Sequence, residues 1–536
     1  MAANPSAAWP TSTRVANLSY FLTRNARRFG EEIAVVYDDR TWTWREFDRR
    51  VSALCAALAT TCGVVKGDRI LVHSANNNQM LEIMMATFRL GAVWTPSNFR
   101  SAPEEVTYVC QKSGARVMFC EAPFAAHAER CAPMVDHVIT IAGAGGEYER
   151  LVSSFSGASF PDAEVDRDDP CWLFFTSGST GKPKASVLTH GQMTFTTLNH
   201  LNDLMPGTDH RDASLVVAPL SHGAAMHQIT QIAAGAKSVI LPQGRLDPAK
   251  AWEFVETWKI SNLFTVPTIV KILIEDPSVD AFDHSSLRYL VYAGAPMYRT
   301  DQKRALAALG PVLVQYYGLG EVTGAITVLT PQDHFAEDSP ASRSGTCGFE
   351  RTGLQVTIQD ESGRVLPPRE SGEICVIGPA VFAGYYQDDE ANAKSFWDGW
   401  FRTGDLGFMD EAGYVFITGR SSDMYISGGS NVYPREIEEV LLTHPALHEV
   451  AILGVPNPKW GEVGLAVCVP KPGCSIGESE IAEFLAARVA KYKQPQHFVF
   501  LDEMPKTNVG KITKKLLRQE LADRNLLQPF VPEGQS

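Results

Sequence analysis

The chain has 536 residues and a formal net charge of −13, from 48 Lys+Arg against 61 Asp+Glu. With 45% hydrophobic and 20% charged residues it has globular composition, which excludes a disordered or collagen-like chain. The acidic balance argues against a general nucleic-acid or membrane-surface binder, both of which need surplus Lys/Arg. Met1 to Arg14 lacks a basic-then-apolar signal pattern, so secretion is not expected. Ten cysteines (55, 62, 110, 120, 131, 171, 347, 375, 468 and 474) contain no C-x-x-C pair. They read as reduced, mostly buried thiols, and the expected location is the cytoplasm.

In chain order, the apolar pattern predicts a helix at Leu81 to Leu90 and buried strands at Leu215–Ala218 and Ser238–Leu241. A helix from Pro248 to Trp258 and strands Leu263–Val266, Leu287–Tyr292 and Val312–Tyr316 follow. Strands alternating with amphipathic helices imply an α/β fold with largely covered sheets. The uncharged run Ala213 to Ala236 is interrupted by Pro219, His222, Gln228 and Gln231, which suits a buried strand and helix better than a bilayer span. A strand at Gly413–Ile417 precedes turn-rich sequence. The chain is therefore divided near Asp423 into 1–422 and a smaller α+β unit, 423–536. In that unit Pro434 opens a helix presenting Ile437, Val440 and Leu441. Strands are expected at Val450–Leu453, Leu465–Val469 and Phe498–Leu501, with a second helix at Glu480 to Ala490 capped by Ser479.

The strongest chemical signal is Leu173-Phe-Phe-Thr-Ser-Gly-Ser-Thr-Gly-Lys-Pro-Lys184. An apolar strand runs into a loop where Gly178 and Gly181 let successive backbone N–H groups turn inward on an anion. Thr176, Ser177, Ser179 and Thr180 add hydroxyls, and Lys182 and Lys184 add charge. This describes a polyphosphate loop, although the spacing is not that of a Walker A loop. A bland Ser/Gly surface turn is the competing reading.

The segment resembles the phosphate-loop signature of the adenylate-forming superfamily, which comprises acyl- and aryl-CoA synthetases, peptide-synthetase adenylation domains and firefly-type luciferases. Further stretches resemble its other motifs in order. They are Tyr292-Ala-Gly-Ala-Pro-Met297, Tyr317-Gly-Leu-Gly-Glu321, Trp400-Phe-Arg-Thr-Gly-Asp405, Gly419-Arg420 through Glu438, and Pro505-Lys-Thr-Asn-Val-Gly-Lys511. The resemblance implies a large N-terminal domain of layered sheets and helices with a small β-barrel subdomain, and a mobile C-terminal α+β domain swinging about Asp423. It departs from the pattern at Gly320, where Thr is usual, at Ala185, where Gly is usual, and at Ser422, where Lys is frequent.

The residues then take the following roles. Gly294, Ala295, Pro296, Tyr317 and Gly318 would hold the adenine, and Asp405 and Arg420 the ribose. Glu321 would ligate Mg²⁺, for which hard oxygen donors are suited. Lys511 would bridge carboxylate and α-phosphate during adenylation, and Lys182 or Lys184 would aid the leaving pyrophosphate. His222 sits between the acid pocket and the CoA channel as a gate, with general base as the alternative. Ser427, Gly428, Gly429, Tyr492 and Lys493 would meet CoA.

Small residues in the acid pocket (Gly223, Ala224, Ala225 and Gly320, beside His222, Ala293 and Gly318) suggest a roomy apolar cavity, and no Arg or Lys is evident there for a second carboxylate. An aromatic, arylalkanoic or medium-to-long-chain fatty acid is expected, with ATP, Mg²⁺ and CoA. No nucleic acid or integral membrane association is expected, and a homodimer is admissible. The alternatives are loading of a carrier protein and a luciferase-like oxygenase. Residues 488–518 hold eight Lys/Arg against Asp502 and Glu503, a basic patch on the smaller unit that offers the polyanionic substrates local charge.

Overall fold

Continuous apolar runs become inner strands. In the computed structural model Ala213–Val216, Lys237–Ile240, Asn262–Thr265, Tyr289–Tyr292 and Leu313–Tyr317 lie side by side in parallel, with Ile33–Tyr37 beyond Lys237–Ile240. The structure describes residues 13–527 except 177–181, 243–245, 296, 340–341, 421–422, 428–429, 487 and 507–511; for 420, 430, 431 and 492 it describes the backbone. Each expected strand of this parallel set lies within two residues of its predicted place. Strands without polar alternation are those covered on both faces.

A second sheet of six strands runs in the order Lys184–Thr189, Pro170–Thr176, Val93–Ser97, Arg69–His73, Val117–Glu121, His137–Ile141. Helix Asn78–Arg89 is buried at every residue and helix Gly223–Ala234 from Ala224 to Ala233. A helix covered all round needs protein on every side, and one apolar core joins both helices to Trp94 and Trp172 of this sheet and to Ile240, Val291 and Val314 of the other. The first helix starts earlier than its apolar pattern because the Asn77 side chain caps it, accepting from the Met80 N–H.

From Leu313–Tyr317 the larger sheet continues antiparallel through Thr327–Leu329, Thr346–Glu350, Tyr414–Arg420, Trp400–Met409, Gly372–Ile377 and Gln355–Gln359. A small barrel was expected in the N-terminal domain only by resemblance and without a place in the chain; among the described residues the pairing of these strands is an open path.

A separate five-stranded sheet comprises Tyr425–Ser427, Ser430–Val432, Leu447–Asn457, Gly461–Pro470 and His497–Phe500. Its alternation is regular. Val450, Ile452, Ala466 and Cys468 meet helices Pro434–Leu441 and Glu478–Ala486, while Ala451, Leu453, Leu465 and Val467 meet helix Lys514–Asp523. Ser479 is not an N-cap. The Ile481 N–H already bonds the Gly477 carbonyl, so Ser479 lies in the first turn. The basic patch is also less free than its count suggests, because Lys493, Lys506 and Lys514 pair with Glu436, Glu449 and Glu438. All ten cysteines are free thiols, nine of them buried. No helix of the described residues is long and apolar enough to cross a membrane.

Burial holds several histidines neutral. It lowers His190, His227 and His334 from 6.5 to about 4, and His73 to about 3, where the neighbouring His127 adds to the effect. Below pH 6.5 the unfolded chain therefore binds protons that the folded chain refuses. Stability is full above that pH and falls as pH drops towards 4, by about 1.4 kcal/mol per histidine per pH unit. Thermal midpoints measured across this window should decline steadily, and a flat profile would contradict it.

Candidate active site

The phosphate-loop strand ends on a buried carboxylate. Pro170–Thr176 delivers the Thr176 hydroxyl to Glu321 Oε1 at 3.0 Å, and the Tyr385 hydroxyl donates to the same oxygen at 3.0 Å. Glu321 lies in the short turn Gly320–Val322 and is only 8% exposed. The segment carrying Tyr385 is zipped to the strand after the loop: the Val187 N–H bonds the Gly384 carbonyl, Ala383 N–H the Val187 carbonyl, and Tyr386 N–H the Ala185 carbonyl. Ala185, where glycine was expected, is buried and keeps this pairing. Lys184 Nζ stands 4.8 Å from the Tyr385 ring centroid and Lys182 Nζ 5.6 Å from that of Tyr108. Burial and the Glu321 charge push the Tyr385 phenol up, so it remains a donor.

Tyr108 and Tyr385 stand beside these candidate residues and were not among those named from the sequence. The available signal was Gly384-Tyr-Tyr386, an aromatic pair after a glycine. The loop 177–181, which holds Ser177, Gly178, Ser179, Thr180 and Gly181, lies outside the described residues, as do Pro296, Gly428, Gly429 and Lys511.

Beyond Glu321 the Tyr317 hydroxyl donates to Asp405 Oδ2 at 2.7 Å. Asp405 is buried and Tyr317 partly so, and burial reinforced by the Asp405 charge holds the Tyr317 phenol protonated. Asp405 and Arg420 are backbone partners across strands Trp400–Met409 and Tyr414–Arg420. Gly318 must be glycine, since a Cβ there would come within 2.3 Å of the Gly324 backbone. Gly294 adopts φ +83°, turning the chain after Tyr289–Tyr292, with Ala295 next in the bend.

His222 precedes helix Gly223–Ala234 and shares a 2.8 Å hydrogen bond between its Nδ1 and the Ser221 hydroxyl. The Phe174 ring meets it edge-on at 5.8 Å. The small residues do not leave open room. A Cβ at Gly320 would lie 2.5 Å from Phe174, and one at Gly223 would lie 2.9 Å from Phe264. Ala224, Ala225 and Ala293 are buried. The walls are aromatic. Arg351 is also nearby, its Cζ 5.9 Å from the Tyr316 ring, so the surroundings hold a basic group that the pocket positions alone did not reveal.

In the smaller sheet Ser427 is buried and pairs with Gly461. Lys493 forms an ion pair with Glu436 at 2.7 Å, and Asp423 lies in a turn. The side chain of Tyr492 lies outside the described residues. Glu321 beside a threonine hydroxyl fits a Mg²⁺ held by one carboxylate and substrate phosphates; among the described residues no cluster of three His, Cys, Asp or Glu offers a closed protein cage.

Gly320→Thr should overpack against Phe174, costing about 1–3 kcal/mol. The expected outcome is a lower thermal midpoint, with recovery when Phe174→Ala is added to the same chain. Equal midpoints for Gly320→Thr with and without the second change would refute the contact.

The AMP-binding enzyme model matches residues 22–386, and the AMP-binding enzyme C-terminal domain model matches 436–511. A feruloyl-CoA synthase from an Amycolatopsis species is 36% identical over 499 residues, 92% of this chain and 97% of that one. A long-chain-fatty-acid–CoA ligase of Mycobacterium tuberculosis is 32% identical over 470 residues, 87% of this chain and 90% of that one. The ATP-bound structure of MatB from Rhodopseudomonas palustris superposes with a TM-score of 0.85 at 27% identity, covering 95% of this chain and all of that one. With the two models matching in order and these alignments running nearly end to end, the chain belongs to the AMP-binding enzyme family.

Proposed function

We propose that the protein is an ATP-dependent carboxylic acid–CoA ligase acting on an aryl acid in the cytoplasm. The acid carboxylate attacks the α-phosphorus of ATP and pyrophosphate leaves; the CoA sulfur then attacks the acyl carbonyl carbon and AMP leaves, the thiol proton passing to solvent. The observation that carries the aryl reading is the filling of the spaces at Gly320 and Gly223 by the rings of Phe174 and Phe264. Flat aromatic walls favour a flat ring through offset or edge-on contact. A fatty chain gains only area.

In this reading Thr176 and the loop 177–181, with Lys182 and Lys184, orient the phosphates. Gly294 to Pro296, Tyr317 and Gly318 seat the adenine, and Asp405, aimed by Tyr317, holds the ribose with Arg420. Glu321 would hold Mg²⁺, which supplies charge neutralisation at the phosphates. His222, steadied by Ser221 and Phe174, gates the passage between acid and thiol. Residues 423–536 turn about Asp423 so that Lys511 serves adenylation and Ser427 to Gly429 admit the pantetheine arm, with Tyr492 and Lys493 meeting the CoA nucleotide. Lys493 would have to leave Glu436 to do so.

The test is CoA-dependent AMP release over aryl and fatty acids of graded length. Aryl acids should give the highest kcat/KM. Release with a phosphopantetheinylated carrier but not with CoA would replace this reading with carrier loading. In a companion assay Lys511→Ala should abolish pyrophosphate release while sparing thioester formation from supplied acyl-AMP, and Gly429→Trp should do the reverse. Equal loss of both half-reactions in either variant would end the division of labour.

A further inference from the structure

Tyr316 is a buried tyrosine whose hydroxyl makes no hydrogen bond among the described residues. Four other interior tyrosines are paired: Tyr148 with Glu82 at 2.7 Å, Tyr292 with Gln315 at 3.0 Å, Tyr317 with Asp405 and Tyr385 with Glu321. Tyr425, in the smaller sheet, is also unpaired among the described residues. A tyrosine only 6% exposed that leaves its hydroxyl without a protein partner among the described residues keeps that hydroxyl available to another molecule, so its position carries information. A Cβ at Gly223 would lie 3.5 Å from it and a Cβ at Gly324 3.4 Å from it. It therefore sits between the first residue of the helix after His222 and the glycine that packs on Gly318, with its ring stacked on Phe264 at 5.8 Å and 18°.

Beside the ring is a buried arginine with unsatisfied N–H groups. Arg351 is 1% exposed, and its Nε and Nη1 make no hydrogen bond among the described residues; Asp203 is 3.8 Å from Nε, and Nη2 lies 3.1 Å from His200 Nδ1. Burial raises the Tyr316 phenol and the Arg351 charge opposes that rise. The same charge makes the hydroxyl a stronger donor to an acceptor oxygen within its reach.

We propose that Tyr316 is a specificity-determining residue of the acid pocket, its hydroxyl bonding a phenolic oxygen at the end of the aryl acid remote from the carboxylate. The proposal rests on the aryl-acid reading and adds to it the substituent that is recognised. A remote carboxylate is disfavoured because the nearby Arg351 already faces Asp203 at 3.8 Å and His200 at 3.1 Å. A hydroxyl accepts from Tyr316 without bringing a second charge into an aromatic enclosure.

The experiment compares cinnamate, para-hydroxycinnamate and para-carboxycinnamate with the full chain, ATP and CoA. The wild type should prefer the hydroxylated acid. Tyr316→Phe keeps the ring stack, and should lower kcat/KM for para-hydroxycinnamate about tenfold or more while leaving cinnamate within about twofold. Equal losses on both acids, no preference in the wild type, or preference for the carboxylated acid would each overturn the proposal. Turnover of fatty acids with none of the cinnamates would instead overturn the aryl-acid reading itself, and the proposal with it.

Discussion

The hydrogen bonds of Thr176 and Tyr385 to one oxygen of Glu321 hold together three segments that the chain brings from far apart. A carboxylate this buried is tolerated only if its lone pairs are filled. Filling them with two hydroxyls fixes the end of the phosphate-loop strand, the turn at Gly320–Val322 and the segment around Tyr385 relative to one another. The Phe382 N–H also bonds the Glu321 carbonyl, so the turn is tied by backbone as well as side chain. The rest of the site is measured from this point: the lysines stand over Tyr385 and Tyr108, and Phe174, two residues before Thr176, reaches His222.

The five parallel strands between 213 and 317 were legible to within two residues because strands covered on both faces are predominantly apolar, whereas the parallel strands Ile33–Tyr37, Arg69–His73, Val93–Ser97 and Val117–Glu121 were not read. The antiparallel strands Gly372–Ile377 and Trp400–Met409 were not read, since each mixes charged and apolar residues around bulges. Ser479 was misplaced because a capping residue type is a local preference, whereas the Gly477 carbonyl that begins the helix is set by the tertiary fold. The charge excess in 488–518 was real as composition, yet three of its lysines are paired with glutamates from 436–449, a stretch that the count did not include.

The site was legible as residue types and far less so as shape. Thr176, Glu321, Tyr317 and Asp405 were all named from the sequence, and the hydrogen bonds that join them in pairs were not. Glycines 223 and 320 read as open space, because a glycine announces the absence of its own side chain and says nothing of whose ring arrives there. Phe174 and Phe264 arrive from other strands. Only packing in three dimensions converts small residues into aromatic walls, and that conversion favours the flat acids over the flexible ones among those the sequence admitted.

In the proposed reading the two substrates would meet at adjacent tyrosines. Successive side chains of a strand point to opposite faces, so on Leu313–Tyr317 the last two residues must face different ways. Tyr317 turns towards Asp405 and Tyr316 towards Phe264 and the Gly223 helix. The strand thereby separates the Asp405 side, where the proposal seats the nucleotide, from the Phe264 side, where it seats the acid, at the spacing of a single residue. Gly318 lets the chain turn away against Gly324 before either ring is crowded. A one-residue register slip would exchange the two faces at once. The parallel ladder from Tyr289–Tyr292 and the antiparallel one to Thr327–Leu329, which hold this strand on both edges, therefore maintain the register that sends the two rings to opposite faces.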